Sequence, residues 1–468
     1  MSYENLNMEQ GKLINISRNF SISFWLLTFF TVSNYFSPLY YLGDNFSHLP
    51  LIFGSSAAVF YVFVRIAKGE SLLVASPATL CLVLVYILAV FSTYCFSVDV
   101  THSKEYLNHF TKSVAIFFLI SHILTNQQEF KAYLIALTCA TFASAYQLVH
   151  YPVWNAGRAD ISGGSYLLAD PNGLSAVFIY IIPIAGALIL LIRNKIFRLF
   201  SIYFIYIFIL GIVEAQSRGG FLALLVSLGV WLTQFDNPRQ RRWTALAIIP
   251  IVILFTYRYV PQEYISRMRE ISRVDADSTG SAEHRATAMS IAFKYILSHP
   301  ISEYGLGNHS YLIIKEYGMS PFQSSDSDSD SKPDGIFRGK FLAHNLFLQF
   351  GADTGIIPLI FYLLFIFFLF YTLYHDQKIL TTINTLESKE LIIISKALRI
   401  SLLGFLAGAF FLPWAYRFYL FYLGGLIQIV HKLTKGQVLG TAVSRVEHMP
   451  ESGSNERVAR FEKCSTLK

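Results

Sequence analysis

Apolar runs long enough to cross a bilayer recur along almost the whole chain, and no other property restricts the fold so tightly. A hydrocarbon core about 30 Å thick takes about 20 apolar residues of helix. Only helices and closed barrels satisfy every backbone N–H and C=O away from water. The sequence carries twelve such runs: Phe20–Tyr41, Leu49–Ala67, Leu72–Phe96, Tyr106–Leu124, Phe130–His150, Asn172–Ile192, Ile196–Val213, Gly219–Phe235, Trp243–Tyr259, His344–Tyr374, Leu391–Leu412 and Pro413–Val430. Of the 468 residues 14% are charged and 54% apolar, against about 25% charged in an ordinary soluble domain. The expected fold class is all-α, a polytopic membrane protein of about twelve transmembrane helices with a large loop that contains short helices.

The basic excess, a net charge of +7, follows from topology before it says anything about a partner. Lys and Arg of the short connections gather on one side, among them Arg65, Lys68, Arg193, Lys195, Arg198, Arg239, Arg241 and Arg242. By the positive-inside rule that side is cytoplasmic and both termini lie there. Nucleic acid is therefore not an implied partner, whereas membrane lipids are. The first apolar run has no small-residue cleavage site behind a short apolar stretch and is expected to remain as an anchor. The four cysteines show no paired spacing and read as packing residues.

Four segments follow from this pattern. Residues 1–259 hold the first nine spans, 260–342 form the long outward loop, 343–431 hold the last three spans, and 432–468 make a polar cytoplasmic tail expected to be disordered. Within the loop, Ser281 to Leu297 has helical spacing with Ser281 as N-cap. His299-Pro300 ends that helix, and Gly305 and Gly307 mark a turn. The run SSDSDSDSKPDG within Ser320–Gly335 is too polar and repetitive to pack.

Ionisable side chains are scarce in the middles of the spans, which disfavours a transporter with a midplane site. The polar residues collect at outward ends instead: Asp160, Asp170 and Asn172, then Glu214, Gln216, Ser217 and Arg218, then Arg285, His344, Asn345 and Arg417. This distribution points to a site at one membrane face that an amphiphilic substrate reaches from the lipid. Arg218 stands in the short connection EAQSRGG, where a guanidinium suits bidentate recognition of phosphate or carboxylate. An i, i+4 ion pair with Glu214, or snorkelling to headgroups, explains it as well. Arg285 by itself reads as a solvated charge. His344 is either a base for a hydroxyl or a helix-start histidine. Asp170 before Pro171 reads first as an N-cap. His299, Glu303 and His309 lack a compact ligand spacing, so no metal set is expected, and Gly305-Leu-Gly307 lacks the strand, third glycine and Lys of a phosphate loop. Tyr151, Trp154, Trp414 and Tyr416 suit either sugar stacking or an interfacial belt.

QSRGGFLALLVSLGVWL (Gln216–Leu232), then Arg285, His299-Pro300 and Gly305-Leu-Gly307, then AHNLFLQFGADTGIIPLIFYLLF (Ala343–Phe365), in that order, resemble the O-antigen ligase and polymerase superfamily of bacterial inner-membrane proteins. The resemblance implies a metal-independent, inverting glycosyltransferase at the periplasmic face that needs no cofactor. Its donor is a glycan on undecaprenyl diphosphate, and its acceptor is the lipid A core in a ligase or a second lipid-linked glycan in a polymerase. Carried onto this chain, Arg218 and Arg285 bind the donor diphosphate and His344 positions or deprotonates the acceptor hydroxyl. Asn345, Asp170 and Arg417 complete the expected substrate-binding set.

Overall fold

The structure is a computed structural model that describes residues 20–36, 48–69, 76–155, 158–161, 171–234, 237, 239, 242–244, 246, 281–302, 304–316 and 343–447. The helices are α1 (Ile22–Tyr35), α2 (Leu49–Ala67), α3 (Pro77–Cys95), α4 (Val100–Ile123), α5 (Gln127–His150), α6 (Pro171–Leu191), α7 (Lys195–Glu214) and α8 (Arg218–Thr233), followed by α9 (Ser281–Ser298), α10 (His309–Glu316), α11 (Leu346–Thr354), α12 (Ile356–Ile383), α13 (Leu386–Ala409) and α14 (Phe418–Glu447). A small hairpin, β1 (Val153–Asn155) and β2 (Arg158–Asp160), pairs antiparallel with Trp154 opposite Ala159. The ninth span, the Ser-Asp run, Asp170 and Glu303 lie largely or wholly outside the described residues.

Helix starts follow local chemistry. Ser76, Asp99, Asn126, Asn194, Ser217, Asn345 and Thr385 each turn a side-chain oxygen onto the first free N–H groups of the helix that follows, which satisfies donors that have no intrahelical partner. Among the described residues seven helices, α2, α3, α5, α6, α7, α12 and α13, are long and apolar enough to cross a membrane. The fold is thus an all-α, multi-pass membrane protein. Of the other expected spans, α1 and α8 are shorter and α4 carries Lys104, Glu105 and Lys112.

At the centre stands α14, packed against α4, α12 and α13. Every residue from Phe418 to Val430 is buried, as expected of a helix that is apolar all round. Gly424 and Gly425 admit the close approach of α4: a Cβ at Gly425 would meet Ile120 at 2.9 Å. Small residues at such contacts are how helices pack where no water drives them together. Deep in the bundle Tyr35 hydrogen-bonds Tyr180, and the Tyr133 hydroxyl lies 2.5 Å from that of Tyr422 and 2.6 Å from Thr31 Oγ1. By contrast, α2 buries little and presents Leu51, Val59, Phe63 and Ile66 outward.

Two expectations are corrected. The run His344–Tyr374 is not one span, because it breaks between Thr354 and Gly355 into α11 and α12. Gly355 has φ +97°, and a Cβ there would lie 2.6 Å from the Pro300 carbonyl oxygen. The His299-Pro300 turn seats itself in this notch. Its carbonyls accept from the N–H groups of Ile356 (3.4 Å) and Ile357 (3.2 Å), so the loop supplies the cap that α12 lacks from a side chain. The second correction concerns the tail, since α14 continues as helix to Glu447 instead of ending near Lys432. The loop helix runs from Ser281 to Ser298 and closes before His299-Pro300. Gly305 and Gly307 both take positive φ and lie against Ser97 and Tyr106 at the α3–α4 corner.

Candidate active site

Contacts between helix ends bring the segments carrying Asn172, Ser217, Asn345 and Arg417 together at one end of the bundle, called here the His344 end. Arg218 is the first residue of α8. Its neighbour Gly219 lies against the last turn of α13: a Cβ there would be 3.5 Å from Leu412 and 3.7 Å from both the Gly408 carbonyl oxygen and Phe411. Ser217 caps α8 through Gly220 N at 3.1 Å and donates to Asn172 Oδ1 at 3.0 Å, tying α8 to the first turn of α6. Glu214 ends α7, and Gln216 between them has φ +47°. The chain therefore reverses between Glu214 and Arg218, and the i, i+4 geometry of a single helix does not apply to them. Gln216 is buried, and its side-chain oxygen has no hydrogen-bond partner among the described residues.

The same α13 turn receives the second motif. Asn345 caps α11 by accepting from Phe347 N (2.9 Å) and Leu348 N (3.0 Å), and its Nδ2 donates to the Phe410 carbonyl at 2.9 Å. Its amide is thus engaged in holding backbone. His344, just before it, is half-buried with φ +44°. Among the described residues Gln216, His344 and Asn384 are the non-glycine positions with positive φ, and two of the three adjoin the motif residues. Such backbone costs on the order of 1–3 kcal/mol and persists where its surroundings enforce it.

Arg417 closes the α13–α14 turn, its N–H bonded to the Trp414 carbonyl at 3.1 Å. It is half-buried and acts electrostatically on His109 of α4. Trp414 and Tyr416 are not belt residues: both are buried, with Trp414 stacked on Phe405 at 5.7 Å. Tyr151 and Trp154 are exposed. Arg285 is the fifth residue of α9, a helix that packs on α10 and α11. The side chains of Arg218 and Arg285, and all of Asp170, lie outside the described part.

A buried carboxylate completes this end. Asp353 Oδ1 accepts from His309 N at 2.8 Å and from His309 Nδ1 at 3.0 Å, while Oδ2 accepts from the Tyr416 hydroxyl at 2.8 Å. Asp353 and His309 are fully inaccessible. Sequence reading passed over Asp353 because it lies inside an apolar run. Its signal was the spacing Asn345, Gln349, Asp353, every fourth residue along one helix face. Among the described residues no three His, Cys, Asp or Glu side chains converge to hold a metal ion.

These features define an all-α, multi-pass membrane protein with Ser217, Asn172, Asn345 and Arg417 gathered at one end. Residues 202–363, from α7 through the loop helices into α12, match the O-antigen ligase family, and the match supports the resemblance to the O-antigen ligase and polymerase superfamily. No curated protein matches the chain.

Proposed function

We propose that the protein is a ligase-type glycosyltransferase that moves a glycan from undecaprenyl diphosphate to the lipid A core oligosaccharide. The reaction runs at the periplasmic face of the inner membrane, with both termini cytoplasmic. The observation that carries the reading is the meeting of the chain segments that bear Arg218, His344 and Arg417 at the last turn of α13, next to membrane-spanning helices. An amphiphilic donor keeps its polyprenyl chain in lipid there and brings its diphosphate to the polar end.

The acceptor hydroxyl oxygen attacks the anomeric carbon as the bond to the diphosphate oxygen breaks, and that oxygen keeps the electron pair. The hydroxyl proton passes to His344, and attack opposite the leaving group inverts the anomeric centre. Arg218 and Arg285 neutralise the charge that grows on the diphosphate, the task a metal ion performs in other transferases. Asn345 orients His344 through the α11 cap and Arg417 adds positive charge at the turn.

The test uses the purified protein with a lipid-linked glycan and lipid A core. Glycan appearing on the core supports the ligase reading. Elongation of the lipid-linked glycan without core transfer replaces it with a polymerase, and absence of covalent transfer with movement of the intact lipid replaces it with a transporter.

A further inference from the structure

The short helix α11 is fastened to the α13–α14 turn along its length. At its start Asn345 Nδ2 donates to the Phe410 carbonyl (2.9 Å). In its middle the Ala415 N–H donates to Gln349 Oε1 (3.2 Å). At its end the Tyr416 hydroxyl donates to Asp353 Oδ2 (2.8 Å). The three side chains are each at most 2% exposed. Their spacing of four keeps them on one face of a helix with 3.6 residues per turn. Bonds this deeply buried are expensive to leave unmade, so they fix one alignment of helix against turn.

What the ladder aligns is specific. His344 immediately precedes its first rung and Arg417 immediately follows its last. Asp353 reaches further still, because it also takes both N–H groups of His309 and so holds the start of α10. Its carbonyl accepts from Ser92 of α3, and the Tyr416 carbonyl accepts from Ser113 of α4 at 2.9 Å. One carboxylate thereby joins the outward loop, the helix behind His344 and the turn that carries Arg417.

We infer that Asp353 is a positioning residue for glycan transfer, acting through Tyr416 to hold the turn of Arg417 in register with His344. This rests on the reading that His344 and Arg417 face the substrates. If the ladder sets only stability, isosteric changes in it lower the folded fraction alone. If it sets register, they lower turnover in the folded protein while leaving initial donor binding nearly intact, since a misplaced base is felt in the transition state.

The test replaces each side of the last rung without changing its volume: Tyr416→Phe, Asp353→Asn and the double variant, in the full-length protein in detergent or nanodiscs. Thermal midpoint and gel-filtration profile give the folded fraction, and kcat and donor KM are measured on it. The expected result is a roughly tenfold fall in kcat for each single variant with donor KM within about twofold, and a double variant no more than about threefold below the weaker single, as for two partners of one bond. The inference is overturned if both single variants keep kcat within twofold of the parent, if the losses track the folded fraction, or if they multiply in the double variant. His344→Ala separates the two levels: full turnover in that variant removes the role of His344 on which the inference rests, whereas its loss beside an unaffected Tyr416→Phe removes only the positioning role.

Discussion

The two ends of the bundle use polar side chains for opposite purposes. At the end marked by Lys432, charges are taken up by one another and by helix termini. Lys131 meets Glu390 at 2.8 Å, and His431 meets Asp376 at 3.0 Å. The Lys432 ammonium donates to the carbonyls of His122 and Leu124 at 3.0 Å each, closing the last turn of α4. Glu129, 1% exposed, accepts from the N–H and hydroxyl of both Ser21 and Thr125. At the His344 end Asn345, Gln349 and Asp353 instead join one short helix to the α13–α14 turn. Gln216 and His344 take positive φ there, and the segments carrying Gly219 and Asn345 meet at one turn. Under the proposed function, one end serves stability and the other a geometry that stability alone does not require.

That contrast breaks down if activity proves as sensitive at one end as at the other, so variants at both ends test it. The largest effect is expected for His344→Ala, a fall in transfer turnover of about 10²–10⁴-fold, the usual contribution of a general base, measured by glycan transfer at matched expression. Next is Arg218→Lys, which keeps the charge and loses the fork. Losing one charge-assisted hydrogen bond, about 1.5–3 kcal/mol, corresponds to about 10–100-fold in kcat/KM. Gly355→Ala forces a side chain into positive φ against the Pro300 carbonyl, and a loss of at least about 1–3 kcal/mol of stability is expected, seen as a lowered thermal midpoint. At the other end, Glu129→Gln swaps two acceptor oxygens for one plus a donor that faces donors. It should cost about 1–3 kcal/mol with kcat on the folded fraction unchanged. Lys131→Ala removes a partly exposed pair, and less than about 1 kcal/mol is expected. A tenfold loss of kcat in either of these last two variants would erase the distinction between the ends.

Most of the scaffold was legible because bilayer physics writes it in plain repeats. The starts of α3, α5 and α8 sit where Ser76, Asn126 and Ser217 precede apolar runs, and His299-Pro300 stops α9 as proline rules require. The break at Gly355 was not read, because the residues that cap α12 come from a turn more than fifty positions earlier and no local pattern encodes them. Helix α14 outran its apolar run since helix propensity does not end where hydropathy does. In the site, the gathering of Asn172, Ser217, Asn345 and Arg417 at one end follows from span counting. The employment of Asn345 as a cap, the burial of Trp414 and Tyr416, and the triple use of Asp353 depend on tertiary contacts that one sequence cannot display.

The fourfold spacing of Asn345, Gln349 and Asp353 also decides which changes of length this segment tolerates. In an α-helix each residue advances the face by about 100°. Deleting or inserting a single residue between Asn345 and Asp353 therefore swings the inner rung a quarter-turn or more off the turn it grips, however conservative the residue. Homologous chains built on this device should vary freely in composition along the other faces of α11 while keeping the count from its cap to its carboxylate.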